Sequence, residues 1–254
     1  IGAAMALVGV AGIWYTGGME QSLVLLRVTA YRTADNYLMI TLPLFMFMGV
    51  LAGYAGLSGD AFRAADKWLG HLPGGLAMAV VGGCAAFGAV CGSAIATAIT
   101  MGKVALPEMR RYKYDDQLSL GTIASAGGLG FMIPPSAAFI IYGLLTDQSI
   151  GSLFIAGILP GLLIAFLMMV AVYIVCRLNP SLGPAAPRAS WKERLTALSG
   201  VWGILVLFLL VMGGIYLGIF TPTEGAAVGA FGALVLGLVK RRLTWKSFTA
   251  SVFE

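Results

Sequence analysis

Charge is scarce in this chain. Of 254 residues, 16 are Lys or Arg and 11 are Asp or Glu, which makes 11% charged, against about 25% in soluble domains. With 59% hydrophobic residues and a mean hydropathy of +0.91, a soluble globular enzyme and a disordered chain are both excluded. There is one His, and the three cysteines (Cys84, Cys91 and Cys176) sit inside apolar segments without ligand-like spacing. A disulfide framework, a zinc site and a haem site are therefore not expected. An intramembrane enzyme would need a catalytic pair, and the chain offers no paired intramembrane carboxylates and no Walker-type phosphate loop. The net charge of +5 does not imply nucleic acid, because the basic residues lie in short loops beside apolar blocks. There they orient a membrane chain and meet anionic lipid heads.

What is present is apolar length. Blocks run at about 1–15, 37–55, 74–102, 117–143, 151–176, 199–219 and 224–239, most of them matched to a hydrocarbon core of about 30 Å. A transmembrane barrel would show short alternating segments instead, so the expected fold class is all-α, a polytopic helical membrane protein. The chain opens on Ile1 inside an apolar run and stops at Glu254 part way through an amphipathic segment, which reads as a piece of a longer protein with a truncated first span. Segments 58–70 and 240–253 mix Phe62 and Trp68, or Trp245, Phe248 and Phe253, with charges, and suit helices lying in the membrane interface. The connector 177–198, with Pro180, Pro184 and Pro187, is too short and polar for a domain and reads as a linker with room for an interfacial helix.

Basic loops give an orientation. Lys103, Arg110, Arg111 and Lys113 fill the connector 103–116, and four more basic residues lie in 177–198. The loop 144–150 holds Asp147 and no Lys or Arg. Two crossings then place both basic connectors in the cytoplasm and 144–150 outside. Arg27 and Arg32 are read as lying in a loop over 17–36 whose side is not fixed.

Two blocks are unsuited to plain crossing. In Leu76–Met101, 13 of 26 residues are Gly, Ala or Ser, which favours burial among helices over contact with lipid. A straight span would put Arg63 and Lys67 opposite Lys103, Arg110, Arg111 and Lys113, whereas a re-entrant hairpin turning near Cys91-Gly92-Ser93 keeps them together. The next block carries Gly127-Gly128-Leu129-Gly130-Phe131-Met132-Ile133-Pro134-Pro135-Ser136, and Pro removes a donor and clashes with the preceding turn. A kinked helix satisfied by its neighbours is the plainer alternative to a full break. Two neighbouring breaks near mid-membrane put unpaired oxygens and helix ends where only a cavity or a bound species tolerates them. Secondary transporters use this arrangement to bind a coupling cation and an anionic substrate. A channel is the competing reading, expected to show charged or carbonyl rings around a pore.

At these residues the sequence resembles the large membrane subunit of the tripartite ATP-independent periplasmic (TRAP) transporters, dicarboxylate type. The matching strings are Ile40-Thr41-Leu42-Pro43-Leu44-Phe45, Gly92-Ser93-Ala94-Ile95-Ala96-Thr97-Ala98, Ala105-Leu106-Pro107-Glu108-Met109, Gly121-Thr122-Ile123-Ala124 and the Gly127 to Ser136 break. Leu144 to Gly151, Phe154 to Gly161 and Gly218 to Glu224 continue it in order. The resemblance implies a sodium-coupled importer of an organic acid (C4-dicarboxylate, sialic acid or similar) in the bacterial inner membrane. It would work with a small TRAP membrane subunit and a periplasmic substrate-binding protein, by an elevator-type shift. It further implies two inverted repeats, of which this chain would hold the first hairpin and broken helix. On that reading 1–73 are amino-terminal spans and an arm helix, 74–176 part of the transport domain, and 177–254 a linker with the first spans of the second repeat. Carried over by position, Gly92, Ser93, Thr97, Gly127, Gly128, Gly130 and Ser136 would hold sodium, and Ser93, Ala94, Thr97, Pro135 and Ser136 would face substrate. Cys91 stands where relatives often have Ser.

The other candidates have plainer readings. Thr221-Pro222-Thr223-Glu224 fits a capping box that starts a helix, in preference to a proton-relay acid. Asp115 and Asp116 suit a helix start. His71 suits a solvated or interfacial position, and the Met residues suit packing or lipid contact.

Overall fold

The computed structural model describes the backbone from Gly2 to Phe253, with side chains over 3–31 and 35–252. Ile1, Glu254 and the side chains of Arg32, Thr33, Ala34 and Phe253 lie outside the described residues. Two compact units are resolved, 1–40 and 41–254. Every element among the described residues is helical.

The first unit holds α1 (Gly2–Ala34) and a 3-10 turn, Tyr37–Ile40. Gly18, at φ 82° and ψ 166°, interrupts α1, and Ser22 Oγ donates to the Val10 carbonyl at 3.0 Å. Twelve residues of straight helix would span about 18 Å, so the chain doubles back at Gly18 into a helical pair. This corrects the reading of 17–36 as a loop. Gln21, Leu23, Leu25, Leu26 and Arg27 are good helix formers, and Arg27 sits on the second helix of the pair.

The second unit begins with α2 (Thr41–Tyr54) and α3 (Leu57–Leu69), followed by the hairpin α4 (Gly75–Cys91) and α5 (Ala94–Arg111). Next come α6 (Asp116–Gly127), the short α7 (Leu129–Met132), α8 (Ala137–Thr146) and the 29-residue α9 (Ile150–Leu178). It closes with α10 (Trp191–Gly200), α11 (Trp202–Tyr216), α12 (Pro222–Val239) and α13 (Trp245–Phe253). Tyr37–Tyr54, α9 and α12 are each long and apolar enough to cross a membrane, and the pairs α6/α7 with α8 and α10 with α11, each bent by 43°, have the combined length and composition of a broken span or a re-entrant loop. Large side chains such as Leu159, Leu163, Phe166 and Leu167 on α9 and Leu205 and Leu209 on α11 stay exposed, as expected for surfaces that face lipid.

The small-residue helix α4 lies at the centre and is buried along nearly its whole length. It packs on α2, α3, α5, α6, α7 and α9. Its 17 residues rise about 26 Å, short of a full crossing. Gly83 shows why it is built from small residues: a Cβ there would lie 3.0 Å from Met101 Cε and 3.3 Å from Phe62 Cα. Both feet of the hairpin are tied to adjacent linker residues. Gly74 N–H, before α4, donates to the Gly183 carbonyl at 3.0 Å, and Asp115 N–H, after α5, donates to the Leu182 carbonyl at 3.0 Å. The feet therefore share one end of the molecule, which agrees with a hairpin whose basic flanks lie on one side. Ala186 N–H donates to the Gly70 carbonyl at 2.8 Å, so the Pro-bearing linker is pinned down as a brace.

Several local expectations need adjusting. α5 continues to Arg111, with Pro107 inside it, so the connector shrinks to 112–115 and Arg110 and Arg111 lie in the last turn of α5, where cations suit the helix dipole. Segment 58–70 forms an amphipathic helix, but one face, with Leu57, Ala61 and Phe62, is buried against α4. His71 is half-buried and its Nδ1 is enclosed without a partner, which fits the interfacial of its two readings better than the solvated one. The capping readings hold: Thr221 and Glu224 form a capping box with Pro222 in the first turn of α12, and Asp115 accepts from the N–H groups of Gln117 and Leu118.

One buried charge is central to the packing. Asp60 on α3 is 5% exposed and accepts from Lys240 Nζ at 2.6 Å, from Arg242 Nη1 at 3.0 Å, and from Arg63. Burial alone would raise its pKa, but the hydrogen bonds and charges of Lys240 and then Arg242 outweigh this and hold the carboxyl below its ordinary value. A carboxyl depressed in this way contributes stability above its unfolded pKa and loses it as pH falls through the folded value. Asp60→Ala should therefore lower unfolding stability in detergent by about 3 kcal/mol near neutral pH, measured by thermal unfolding. The deficit should shrink only below about pH 4.

Candidate functional site

The hairpin tip is formed by a change of backbone handedness. α4 stops because Gly92 adopts φ 66°, with its N–H donating to the Gly88 carbonyl, and Ser93 returns to extended geometry to cap α5. The Ser93 hydroxyl accepts from Ala96 N–H at 3.4 Å. The other interruption runs from Gly128 to Ser136. Ile133 is extended, Pro134 and Pro135 are buried and joined by a cis bond, and Ser136 opens α8. The Ser136 hydroxyl, fully buried, donates to the Phe131 carbonyl at 2.7 Å. With that hydroxyl engaged elsewhere, the first turn of α8 has no side-chain cap.

The two interruptions meet. Ala137 N–H, at the start of α8, donates to the Gly92 carbonyl at 3.2 Å. A Cβ on Gly92 would stand 2.7 Å from the Pro135 carbonyl oxygen. On Gly130 it would stand 2.8 Å from both the Ser93 carbonyl oxygen and Thr97 Oγ1. On Gly127 it would lie 3.1 Å from the Ala94 carbonyl oxygen. Only glycine allows backbone to approach backbone at these separations. Gly92, Ser93, Ala94, Thr97, Gly127, Gly130, Pro135 and Ser136 are thus gathered around one point. Gly128 is not part of this contact, since its nearest neighbour is the Ser125 carbonyl within its own turn.

The amino termini of α5 and α8 meet here, joined by the Ala137 N–H to Gly92 carbonyl hydrogen bond, and the positive end of a helix dipole is a setting that attracts negative charge. Beside them lies an oxygen-rich corner. Thr97 is fully buried and its Oγ1 has no hydrogen-bond partner, although the Cys91 thiol is within interaction range. The hydroxyl proton can go only to that sulfur, a weak acceptor, so the Thr97 oxygen keeps its lone pairs available beside the Ser93 carbonyl. These hard oxygens are of the kind that suits a small cation.

Three supports were missed in the sequence. Gly49 on α2 backs the tip, where a Cβ would stand 2.7 Å from Cys91 Cα. Gly88 on α4 meets Gly130, with a Cβ 3.0 Å from its Cα. Gly157 and Gly161 on α9 clasp the break, where added Cβ atoms would stand 2.9 and 3.3 Å from the Met132 carbonyl oxygen. The spacing of Gly157 and Gly161 is the small-xxx-small pattern of close helix contact, and the small-residue composition of 76–101 was the signal for Gly88.

The comparisons with known proteins agree with this layout. The family model described as "Tripartite ATP-independent periplasmic transporter, DctM component" matches residues 1–254. The chain is 40% identical over 206 residues to the C4-dicarboxylate TRAP transporter large permease protein DctM of Pseudomonas aeruginosa, covering 81% of this chain and 48% of that protein. It is 38% identical over 226 residues to the isethionate TRAP transporter permease protein DctMQ of Oleidesulfovibrio alaskensis, covering 89% and 35%. Against the sialic acid TRAP transporter large permease protein SiaM of Vibrio cholerae it is 35% identical over 215 residues, covering 84% and 50%. The chain therefore spans about half the length of curated relatives or less. Its several apolar helices are those of a multi-pass membrane protein, and the family match over its whole length settles the kinship: the chain belongs to the DctM component family of tripartite ATP-independent periplasmic transporters.

Proposed function

We propose that this chain supplies one hairpin and one broken helix to a sodium-coupled importer of an organic anion in a bacterial inner membrane. The observation that carries the reading is the Thr97 hydroxyl. It is buried beside the Ser93 carbonyl and over Gly130, where two helix interruptions meet, with no oxygen or nitrogen partner and only the weakly bonding Cys91 sulfur in range. Leaving such a group unmatched costs about 1–3 kcal/mol, and a bound cation would recover it. Sodium would be held there by Thr97, the Ser93 carbonyl and neighbouring backbone around Gly92, Gly127 and Gly130. The amino termini of α5 and α8 would face the substrate anion, with Ser93, Ala94, Pro135 and Ser136 lining one wall.

No Arg lies inside the apolar blocks to clamp a carboxylate, so anion binding rests on helix termini and hydroxyls. The named relatives act on C4-dicarboxylate, isethionate and sialic acid, which supports a small organic acid as the class. Delivery by a periplasmic binding protein, a small membrane subunit as partner and an elevator-type movement complete the proposal. The hairpin suits such a movement because it carries its own brace at the feet and its own seal at the tip.

The test is uptake by the full-length transporter with its partners in proteoliposomes. Accumulation should require an inward sodium gradient; accumulation indifferent to sodium overturns the coupling, and conductance without accumulation would make the protein a channel. Thr97→Val should raise the sodium concentration for half-maximal uptake on the order of tenfold, equivalent to about 1.4 kcal/mol, with little change in unfolding temperature. Gly130→Ala should abolish uptake by pushing a methyl against the Ser93 carbonyl, whereas Gly121→Ala, where an added Cβ meets nothing within 4 Å, should leave it unchanged. Sodium dependence unaltered in Thr97→Val would remove the site assignment.

A further inference from the structure

An open cleft of about 480 Å³ lies between α3 and α10, and its walls carry Asp60, Arg63, Lys67, Lys192 and Glu193. Both carboxylates are already committed. Asp60 holds Lys240, Arg242 and Arg63, and Glu193 accepts from Ser190 N–H at 2.7 Å and from its hydroxyl at 2.9 Å. Among the described residues Lys67 and Lys192 have no ion pair within 4 Å, and the Arg63 side chain remains 60% exposed. The cleft thus carries three cations to two carboxylates, Lys67 close enough to Glu193 to stabilise its charge and Lys192 in no ion pair among the described residues, while both carboxylates already accept hydrogen bonds elsewhere.

Its rim is aromatic. The Trp68 and Trp191 rings meet edge to face with centroids 6.3 Å apart. The Arg194 guanidinium lies 5.8 Å from the first ring centroid and 5.2 Å from the second. Arg194 Nε is buried without an acceptor, so an oxygen is wanting at the rim. α10 divides into two faces. Lys192 and Thr196 turn to the cleft, while Trp191, Leu195 and Leu198, at helical spacing, are exposed at 70, 61 and 48%. A helix with one charged and polar face and one apolar face bearing Trp is suited to the membrane interface. The linker that leads into it carries the basic residues that mark the cytoplasmic side.

We propose that this cleft binds the phosphodiester headgroup of an anionic phospholipid. Lys67, Lys192 and Arg63 face the phosphate, Arg194 Nε donates at the rim, and acyl chains lie along Trp191, Leu195 and Leu198. The volume is ample for a glycerophosphate head, since a water molecule takes about 30 Å³. Basic pockets between membrane helices on the cytoplasmic side are suited to such heads.

The test is native mass spectrometry of the purified full-length protein after incubation with phosphatidylglycerol or phosphatidylcholine. The wild type should retain phosphatidylglycerol in preference to phosphatidylcholine. The double variant Lys67→Gln/Lys192→Gln should retain it less by on the order of tenfold, whereas Lys246→Gln on α13 should retain it fully. The doubly conservative Lys67→Arg/Lys192→Arg should keep the preference, which separates lost charge from misfolding. Unchanged retention in the Gln pair, or equal loss in Lys246→Gln, overturns the proposal. Displacement of the lipid by millimolar inorganic phosphate also overturns it, in favour of a free-anion site.

Discussion

Main chain that stops being helical inside an apolar bundle must find partners within the protein, because no water is there to supply them. This chain breaks its helices twice in fewer than fifty residues and settles each break against the other. The Gly92 carbonyl, released where α4 ends, accepts the Ala137 N–H that α8 has no neighbour of its own to bond. Each interruption is thereby a condition for the other. Such mutual satisfaction demands very close backbone approach, and that explains the glycines at 88, 92, 127 and 130: a methyl at any of them would press on backbone or a side chain of the facing segment. What stays unmatched after the breaks have met is a small remainder, the Thr97 hydroxyl and an α8 amino terminus without a side-chain cap. That remainder has both signs of partial charge, oxygens for a cation and amino termini for an anion, within one confined region.

Around this uncharged centre the charges are kept to the periphery and arranged differently. The feet of the hairpin are held by main-chain hydrogen bonds to Leu182 and Gly183, which require no ionised group. Asp60 ties α3 to the segment after α12 through Lys240 and Arg242 across 180 residues or more of sequence. Lys240 also reaches the Gly200 carbonyl and lies 5.7 Å from the Trp202 ring centroid, so the α10–α11 bend is drawn into the same cluster. The tip is thus free of ion pairs, and the scaffold around the feet is fixed by them.

Much of this was legible in the sequence where the signal is local. Pro134-Pro135 after three glycines forces a break whatever the surroundings, and a Gly-Ser pair in a block of small residues marks a turn. Thr221-Pro222-Thr223-Glu224 and Asp115 specify helix starts through atoms within a few residues of one another, and both are found as read. What was not legible depends on partners far along the chain. Nothing near Gly49 or Gly88 tells that one backs Cys91 and the other meets Gly130. Asp60 looks like one more charge on an amphipathic helix until Lys240 and Arg242 are placed beside it. The reversal at Gly18 was hidden because Glu20 and Arg27 lower the hydropathy of a segment whose residues still favour a helix.

The linker shows how the same reasoning separates length from function. Prolines at 180, 184 and 187 prevent regular structure, and a sequence of that kind suggests slack. Here the extended backbone instead offers its free carbonyls and N–H groups to the loops on either side of the hairpin. Leu182 and Gly183 receive the hairpin's feet, and Ala186 binds Gly70. Cys176 and Gly183 fill the space against Gly74, where a larger residue at either glycine would meet the Cys176 sulfur at 2.8 Å. A segment unable to form a helix is therefore well fitted to brace one, because its unpaired main-chain groups are available in directions that a helix would have used internally. The rigidity of the hairpin base and the openness of its tip follow from the same rule applied twice: unpaired backbone is matched by protein at the feet, and only in part at the tip, where partners are still lacking.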